Sequence, residues 1–369
     1  MNILMVTPHL PPYQAANALL PHLLGQALTE RGHQVRFLTF GPPSDREDVA
    51  VVRRRRGPRA TRVPQALEAA ETWWKAAPLV READVVHVHS STWMNQVAAR
   101  LAVRHRKPYV LTHYGTEIWH HDGKDAFFRR LNRQAHHVTF YSRALAERAR
   151  ELGLPVRAAS VVYPTVADAF RPPAPAEREA LRRRLVPEGG PLLLNVKRLH
   201  PLADHATLLE ATALLRASQP CARLLVAGSG GEEGALKARA ARLGLADSVQ
   251  FLGLVPNERV AELQAAADVF VLPSLLEATP TVALEALACG TPVVSTDSPG
   301  GVELAGIFGD DVAVVPRQDP PALAAALRAF LEAPRRARGQ SLATIAERFR
   351  LPALTESYLA LYREAVGRS

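Results

Sequence analysis

Short runs of apolar residues, mostly β-branched or aromatic, recur along the chain at 2–6, 35–40, 85–89, 109–113, 138–141 and 160–163. A second series follows at 192–196, 224–227, 249–252, 269–272, 292–295 and 312–315. Runs this short and this continuously apolar suit parallel strands, which are covered on both faces. Longer stretches with helical spacing separate them. Such alternation predicts a doubly wound α/β fold, and two series predict two Rossmann-like domains in tandem. The proline-rich stretch Phe170-Arg-Pro-Pro-Ala-Pro reads as their junction. The predicted division is an N-terminal domain at 1–168, a C-terminal domain at 169–348 and a closing helix at 349–369, with apolar residues at Leu354, Tyr358, Leu361 and Tyr362. The start reads as a first strand, without the charged region or length of a secretory leader.

Candidate chemistry concentrates at 273–301, PSLLEATPTVALEALACGTPVVSTDSPGG. The apolar strand 269–272 leads into it. Thr279 reads as an N-cap, Pro280 as the first helical residue and Gly290 as the stop. A helix that starts at a strand's carboxyl end points unpaired N–H groups at the ligand crevice and attracts phosphate. Thr279, Thr281, Val282 and Ala283 form that start. Glu277 stands just outside it, placed to accept hydrogen bonds from sugar hydroxyls. Glu285, about one and a half turns into the helix, has two oxygens to offer the diol of a ribose. A diphosphate between two diol-binding carboxylates describes a nucleotide-sugar. On spacing alone, two solvated glutamates on a βαβ unit are the commoner explanation.

The surrounding residues, VFVLPSLLEATPTVALEALACGTPVVSTDSPGGVEL, resemble the donor-binding segment of retaining GT-B glycosyltransferases of the family 4 type. Glu277 and Glu285 match that family's two glutamates, with Ala278 where a glycine usually follows the first. Gly300, Gly301 and Glu303 resemble its trailing G-G-x-x-E, with the glutamate one residue closer. The resemblance implies a GT-B fold, with an acceptor domain first, a donor domain second and a cleft between them. The last helix would cross back onto the first domain, the alternative being an ordinary helix packed on its own domain. The implied activity moves a hexose-type sugar from a UDP- or GDP-sugar to a hydroxyl acceptor with retention, by front-face transfer. The family is metal-independent and the chain contains no D-x-D motif. No metal and no further cofactor are therefore expected, the nucleotide-diphosphate sugar being the co-substrate.

The stretch from Leu194 to Ala211 aligns without gaps to the family's G-R-L-x-P-x-K-G…L-x-E-A, and Arg198 takes the arginine's place. In the family the arginine and lysine neutralise the departing diphosphate. Here the lysine position is Ala203 and its glycine is Asp204, the largest departure. Losing a cation beside a developing charge raises the barrier, unless Lys197 or another basic residue replaces it. Gly228 and Gly230 form a G-x-G turn after a strand. That is a weak signal alone, and in the family it borders the nucleotide, with the base held near 249–256. The family's glycine pair in the first loop falls on Ala15 and Ala16, which puts a close backbone approach to phosphate in doubt. Pro21 implies a helix boundary near Leu20 or a kink. Asp84, His87 and His89 resemble the family's D-x-V-H-x-H strand, and a metal pair there lacks a third ligand. The family's T-x-H-G places a histidine beside the transferred sugar. Here either a bulge restores His113 to that place or Tyr114 occupies it, since a one-residue shift flips a strand side chain. Glu117 orients these neighbours or caps the next turn, and Ser142 reads as an N-cap. The catalytic set implied is His113, Arg198 and Glu277.

Of the 369 residues, 47% are apolar and 22% charged, ordinary for a soluble globular protein. No apolar stretch is long enough to span a membrane. Cys221 and Cys289 lie far apart and read as buried thiols in a reducing compartment. The net charge of +9 peaks at Arg53–Arg56, Arg59 and Arg62. A solvated loop is the commonest explanation, and contact with an anionic membrane or acceptor is the next. No aromatic residues interleave as a nucleic-acid surface would require, so nucleic acid is not expected as a partner. Trp73 and Trp74 on a helical stretch suit a membrane-proximal or lipid-linked acceptor. The expected location is cytoplasmic, at most peripheral at the inner face of the membrane. Two rival functions stand beside the transferase: a sugar-nucleotide epimerase or hydrolase, and a nucleotide-sugar-binding protein with impaired catalysis. Ala203 and the Ala15–Ala16 loop favour the second rival.

Overall fold

The apolar runs form the strands of two parallel sheets. A computed structural model describes residues 1–13, 16–41, 44–53 and 63–367. The chain forms two compact units, Met1–Thr165 with the chain from Leu351 onward, and Val166–Arg350.

The first unit holds β1 (Asn2–Thr7), β2 (Gln34–Phe40), β3 (Val49–Val52), β4 (Val85–His89), β5 (Tyr109–His113), β6 (His137–Phe140) and β7 (Ala159–Val161). Their order is β3-β2-β1-β4-β5-β6-β7, with every pairing parallel. The second unit holds β8 (Leu192–Val196), β9 (Arg223–Ala227), β10 (Val249–Gly253), β11 (Val269–Leu272), β12 (Val293–Thr296) and β13 (Val312–Val315). Their order is β10-β9-β8-β11-β12-β13, again parallel throughout. In both sheets the strand order reverses beside the first strand. Ligands of doubly wound sheets bind at such a point, outside the strands' carboxyl ends. In the second unit it lies between the ends of β8 and β11, which lead into Lys197-Arg198 and Pro273–Glu277.

Both-sided burial explains why the strands were legible. Every residue of β4, β5, β6, β11 and β12 is buried. The second unit's core joins Leu193, Leu224, Val226 and Val271 of the sheet to Leu208, Leu323 and Leu327 of the covering helices. β3, four residues at the edge, was not expected. Pro21 lies inside the helix Ala16–Glu30. Its ring lacks the N–H that would bond to the Asn17 carbonyl, and the Thr7 hydroxyl donates to that carbonyl instead.

The passage between the units lies before the expected junction. Phe170 is buried within the second unit, and the prolines after it run into the helix Pro175–Leu185. Val166 N–H donates to the Phe349 carbonyl at 2.7 Å. Arg350 donates to the carbonyls of Val166, Ala167 and Phe170. The segment 166–170 is thus stapled in place and is not a free linker. Cys221 also departs from expectation: it sits exposed in the turn before β9, while Cys289 is buried, and both are free thiols.

The helix Leu351–Gly367 belongs to the first unit. Tyr358 and Tyr362 on it have no exposed surface. The Tyr362 hydroxyl meets His87 Nδ1 at 2.5 Å, and Thr112 Oγ1 meets His87 Nε2 at 2.7 Å. Thr112 Oγ1 also lies 2.7 Å from Thr139 Oγ1 and 3.1 Å from the Tyr358 hydroxyl. This buried network fastens the last helix onto β4, β5 and β6. No helix among the described residues is long and apolar enough to cross a membrane.

Candidate donor site and a second polar cluster

At the order reversal of the second sheet, Lys197 Nζ forms an ion pair with Glu277 Oε1. The contact lacks hydrogen-bond alignment, and among the described residues that oxygen has no other partner. Glu277 is 8% exposed. Its loop is fixed: Gly300 N–H donates to the Glu277 carbonyl at 2.9 Å, and Leu275 N–H donates to the Leu202 carbonyl at 2.9 Å. Arg198, next to Lys197, is exposed and makes no hydrogen bond or ion pair among the described residues. The strand end is thus a pair of cations, one engaged and one open.

The helix that follows Glu277 runs Thr281–Ala288. Its N-cap is Pro280 and not Thr279, as the sequence had suggested. Pro280 takes an extended ψ of 92°, and its carbonyl accepts from the amides of Ala283 and Leu284. The amides of Thr281 and Val282 precede any intrahelical acceptor and face the helix start. Gly290 (φ +76°) follows the C-cap Cys289, as expected. Glu285 is partly buried one turn in, with no cation and no hydrogen bond to its carboxyl among the described residues. Burial pushes that carboxyl up to about 8. A group held so is poised to accept hydrogen bonds that would stabilise its ionised form.

The glycines of this region allow close approach of backbone to backbone. A Cβ on Gly228 (φ +139°) would stand 2.0 Å from the Lys197 carbonyl, and one on Gly230 would stand 2.1 Å from the Leu199 carbonyl. The turn after β9 thereby runs along the backbone of 197–199, with Leu199 N–H donating to the Ser229 carbonyl at 3.0 Å. Gly228 and Gly230 position the two cations. Gly300 allows the same closeness to the loop holding Glu277, where a Cβ would meet the Ala278 carbonyl at 2.8 Å, and Gly301 allows it at the end of β12, where a Cβ would meet the Thr296 carbonyl at 2.2 Å.

Ala203 is 3% exposed in a 3-10 turn, so its slot offers no cation. Asp204, where the family has glycine, adopts the left-handed conformation (φ 49°) and caps the helix His205–Arg216 through Thr207 N–H. Three contributors were not singled out by the sequence. Asn195 is buried in β8, donates to the Val271 carbonyl at 2.8 Å, and accepts from His205 Nε2 at 3.0 Å. Burial lowers His205 to about 4, so it is neutral. Arg317, after β13, bonds Asp297 at 2.8 Å and the Leu275 carbonyl at 3.2 Å, which ties the Glu277 loop to its neighbours. A lone asparagine within the apolar run LLLNV was the available signal for the first of these.

In the first unit, β5 pairs with β6 in regular register as far as His113, with no bulge. His113 departs from its expected place. It has no exposed surface, lies against Phe128 and Phe140, and meets Asn132 Oδ1 through Nε2 at 2.9 Å. Its Nδ1 is 3.6 Å from Glu117 Oε1. Glu117 in turn accepts from the amides of Tyr114 (2.8 Å) and Gly115 (3.2 Å). Burial works to raise the Glu117 carboxyl, but the pull of His113 and those amides leaves it lowered. Tyr114 is the residue at the strand's end with surface still open. Its hydroxyl meets His89 Nδ1 at 2.7 Å, and its ring meets Tyr141 edge-on. Burial drives His89 down to about 3 and holds His87 well below the usual range. Both rings are neutral and 3.8 Å apart. No group of three potential metal ligands occurs among the described residues. Ser142 caps the helix Arg143–Glu151. Ala16 opens the first helix, while Ala15 and the arginines at 54–56, 59 and 62 lie outside the described residues.

Comparison with known proteins matches the family model described as glycosyl transferases group 1 over residues 177–346, and that of glycosyltransferase family 4 over residues 22–170. Among curated proteins, a D-inositol 3-phosphate glycosyltransferase of Geodermatophilus obscurus is 42% identical over 201 residues, covering 50% of this chain and 44% of the relative. One from Thermobispora bispora is 37% identical over 227 residues, covering 58% of this chain and 52% of the relative. The chain thus spans about half the length of the curated relatives it matches. Among solved structures, Anabaena HepE in complex with UDP has a TM-score of 0.81 at 21% identity, covering 99% of this chain and 100% of that one. A glycosyltransferase of Rickettsia africae has a TM-score of 0.81 at 18% identity, covering 100% of this chain and 99% of that one. With both sheets matching these neighbours and the two family models covering most of its length, the chain is a GT-B glycosyltransferase of the family 4, or group 1, type.

Proposed function

We propose that the protein transfers a hexose-type sugar from a UDP- or GDP-sugar to a hydroxyl acceptor, with retention and without a metal. The observation that carries this reading is Glu285, a carboxyl with no cation set one turn inside a helix whose first amides are open. A ribose diol supplies the two donors it lacks, and the diphosphate then falls at the helix start. HepE has been crystallised in complex with UDP-glucose, which supports a uridine donor. As the bond from the sugar's anomeric carbon to the diphosphate breaks, charge builds on the leaving oxygen. Arg198 and the amides of Thr281 and Val282 stabilise it. The acceptor oxygen bonds to the same face of the anomeric carbon, and its proton passes to the departing diphosphate. Glu277 holds sugar hydroxyls. On the first unit, Tyr114 contacts the acceptor, and His113 is a positioning residue acting through Glu117.

The acceptor is lipid-linked or lies at an anionic membrane face. Leu67 (47% exposed), Trp73 (44%) and Trp74 (74%) stand out on the helix Val63–Glu82, and tryptophan favours the membrane interface. The second reading, a nucleotide-sugar binder with impaired catalysis, draws on the buried, cation-free slot at Ala203. Incubation with UDP- and GDP-sugars, without acceptor or metal, separates the two. Slow nucleotide release from one donor, lost in Glu285→Ala and Arg198→Ala, supports the transferase. Binding without release, together with failure of a broad acceptor screen, supports the binder.

A further inference from the structure

We propose that the Lys197–Glu277 ion pair makes this site favour an intact nucleotide-sugar over the bare nucleotide diphosphate. The inference rests on the donor-site reading above. Lys197 and Arg198, whose guanidinium is open, are consecutive residues just past the carboxyl end of β8, the edge at which doubly wound sheets bind ligands. Arg198 has no partner to give up among the described residues. Lys197 does, because it is the only cation paired with Glu277 among the described residues.

The two partners differ in freedom. Glu277 is anchored through its carbonyl by the Gly300 N–H, and Gly300 lies close against Ala278 and Pro280 of the same loop. Lys197 is fixed only through its backbone, whose N–H donates to the Ala227 carbonyl at 2.9 Å. A diphosphate therefore draws the ammonium group away and leaves the carboxylate behind. At 8% exposure, water replaces the lost cation poorly, and an unpaired buried charge is costly. A bare diphosphate incurs this loss in full. An intact donor brings sugar hydroxyls, which donate to the stranded carboxylate. The sugar end and the diphosphate end of the donor are thereby coupled through one ion pair, and the product nucleotide is released more readily than the donor.

The test is a titration-calorimetry cycle with UDP, GDP, UDP-glucose and GDP-glucose on wild type, Glu277→Gln, Lys197→Met and the double variant. Wild type is expected to bind one intact donor more tightly than its diphosphate. Glu277→Gln should tighten the bare diphosphate by roughly tenfold and narrow the gap to the intact donor. That tightening should vanish in the Lys197→Met background. Equal tightening in both backgrounds would show that Glu277 acts merely as a repelling charge and would overturn the proposal. So would an unchanged or weaker diphosphate affinity in Glu277→Gln with an unchanged melting temperature. If wild type binds none of the four probes, the donor-site reading itself fails. Glu277→Asp, which draws the charge back by one methylene, is the second variant should Glu277→Gln fail to fold, and its diphosphate affinity should fall between wild type and the tenfold gain.

Discussion

Replacing Glu285 by glutamine should stabilise the protein and disable it at the same time. Burial holds the Glu285 carboxyl at about 8 in the folded chain against an ordinary 4.5. Because the folded value is the higher one, the unfolded chain loses its proton first as pH rises. The linked stability is intact below about 4.5, falls through the window from there to about 8, and is level above it. At about 1.4 kcal/mol per pH unit, the full window sets an upper bound of about 5 kcal/mol. The carboxyl is partly exposed, and water screens some of that cost, so about 1–3 kcal/mol is the expected loss. Glutamine does not titrate. Its advantage over wild type should be near zero at pH 4.5 and complete above pH 8, a gain of roughly 3–10 °C in melting temperature. Ligand binding should show the opposite sign. If the ribose diol binds the ionised carboxylate, diphosphate affinity in wild type should rise by up to about tenfold per unit below pH 8 and then level off. Measuring between pH 7 and 9 avoids the phosphate's own titration near about 6. In Glu285→Gln the affinity should be low and flat. A stability difference that does not change with pH would refute the burial argument. A wild-type affinity that is flat over the same range would refute the assignment of Glu285 to the ribose.

Arg198→Ala removes an exposed cation that has no partner among the described residues. Melting should be unchanged and nucleotide release should fall about a hundredfold or more, as read by single-turnover kinetics. Gly228→Ala forces a Cβ to 2.0 Å from the Lys197 carbonyl at a φ of +139°, and urea unfolding should show a loss of about 3 kcal/mol or more. Trp73→Ala/Trp74→Ala should cut co-sedimentation with phosphatidylglycerol vesicles severalfold at low salt without altering nucleotide affinity. No binding of wild type at low salt would remove the membrane proposal.

The sheets were legible because parallel strands covered on both faces leave continuous apolar runs, as in VVHVH of β4 and VFVL of β11. β3 was missed although VAVV is itself an apolar run, because it is only four residues long, is only partly buried over its first three, and runs directly into the arginine stretch read as a solvated loop. The helix start was displaced because proline suits both the cap and the first turn, and only the observed ψ of Pro280 decides between them. The two glutamates could be read from their strand–helix context. The cation against Glu277 could not, because Lys197 and Glu277 meet only when β8 and β11 become neighbours. The choice between His113 and Tyr114 depended on the strand register, which the pairing of β5 with β6 supplies. The junction was misplaced because the staple on 166–170 comes from Arg350, which is remote in sequence.

A nucleotide diphosphate should lie against the start of the helix Thr281–Ala288, between Glu285 and Arg198. A crystal structure of the protein with the nucleotide it releases tests this most directly. Diphosphate oxygens should lie within hydrogen-bond distance of the Thr281 and Val282 amides and of the Arg198 guanidinium, with both ribose hydroxyls on Glu285. A nucleotide bound elsewhere, or bound here with its ribose turned away from Glu285, would contradict this placement.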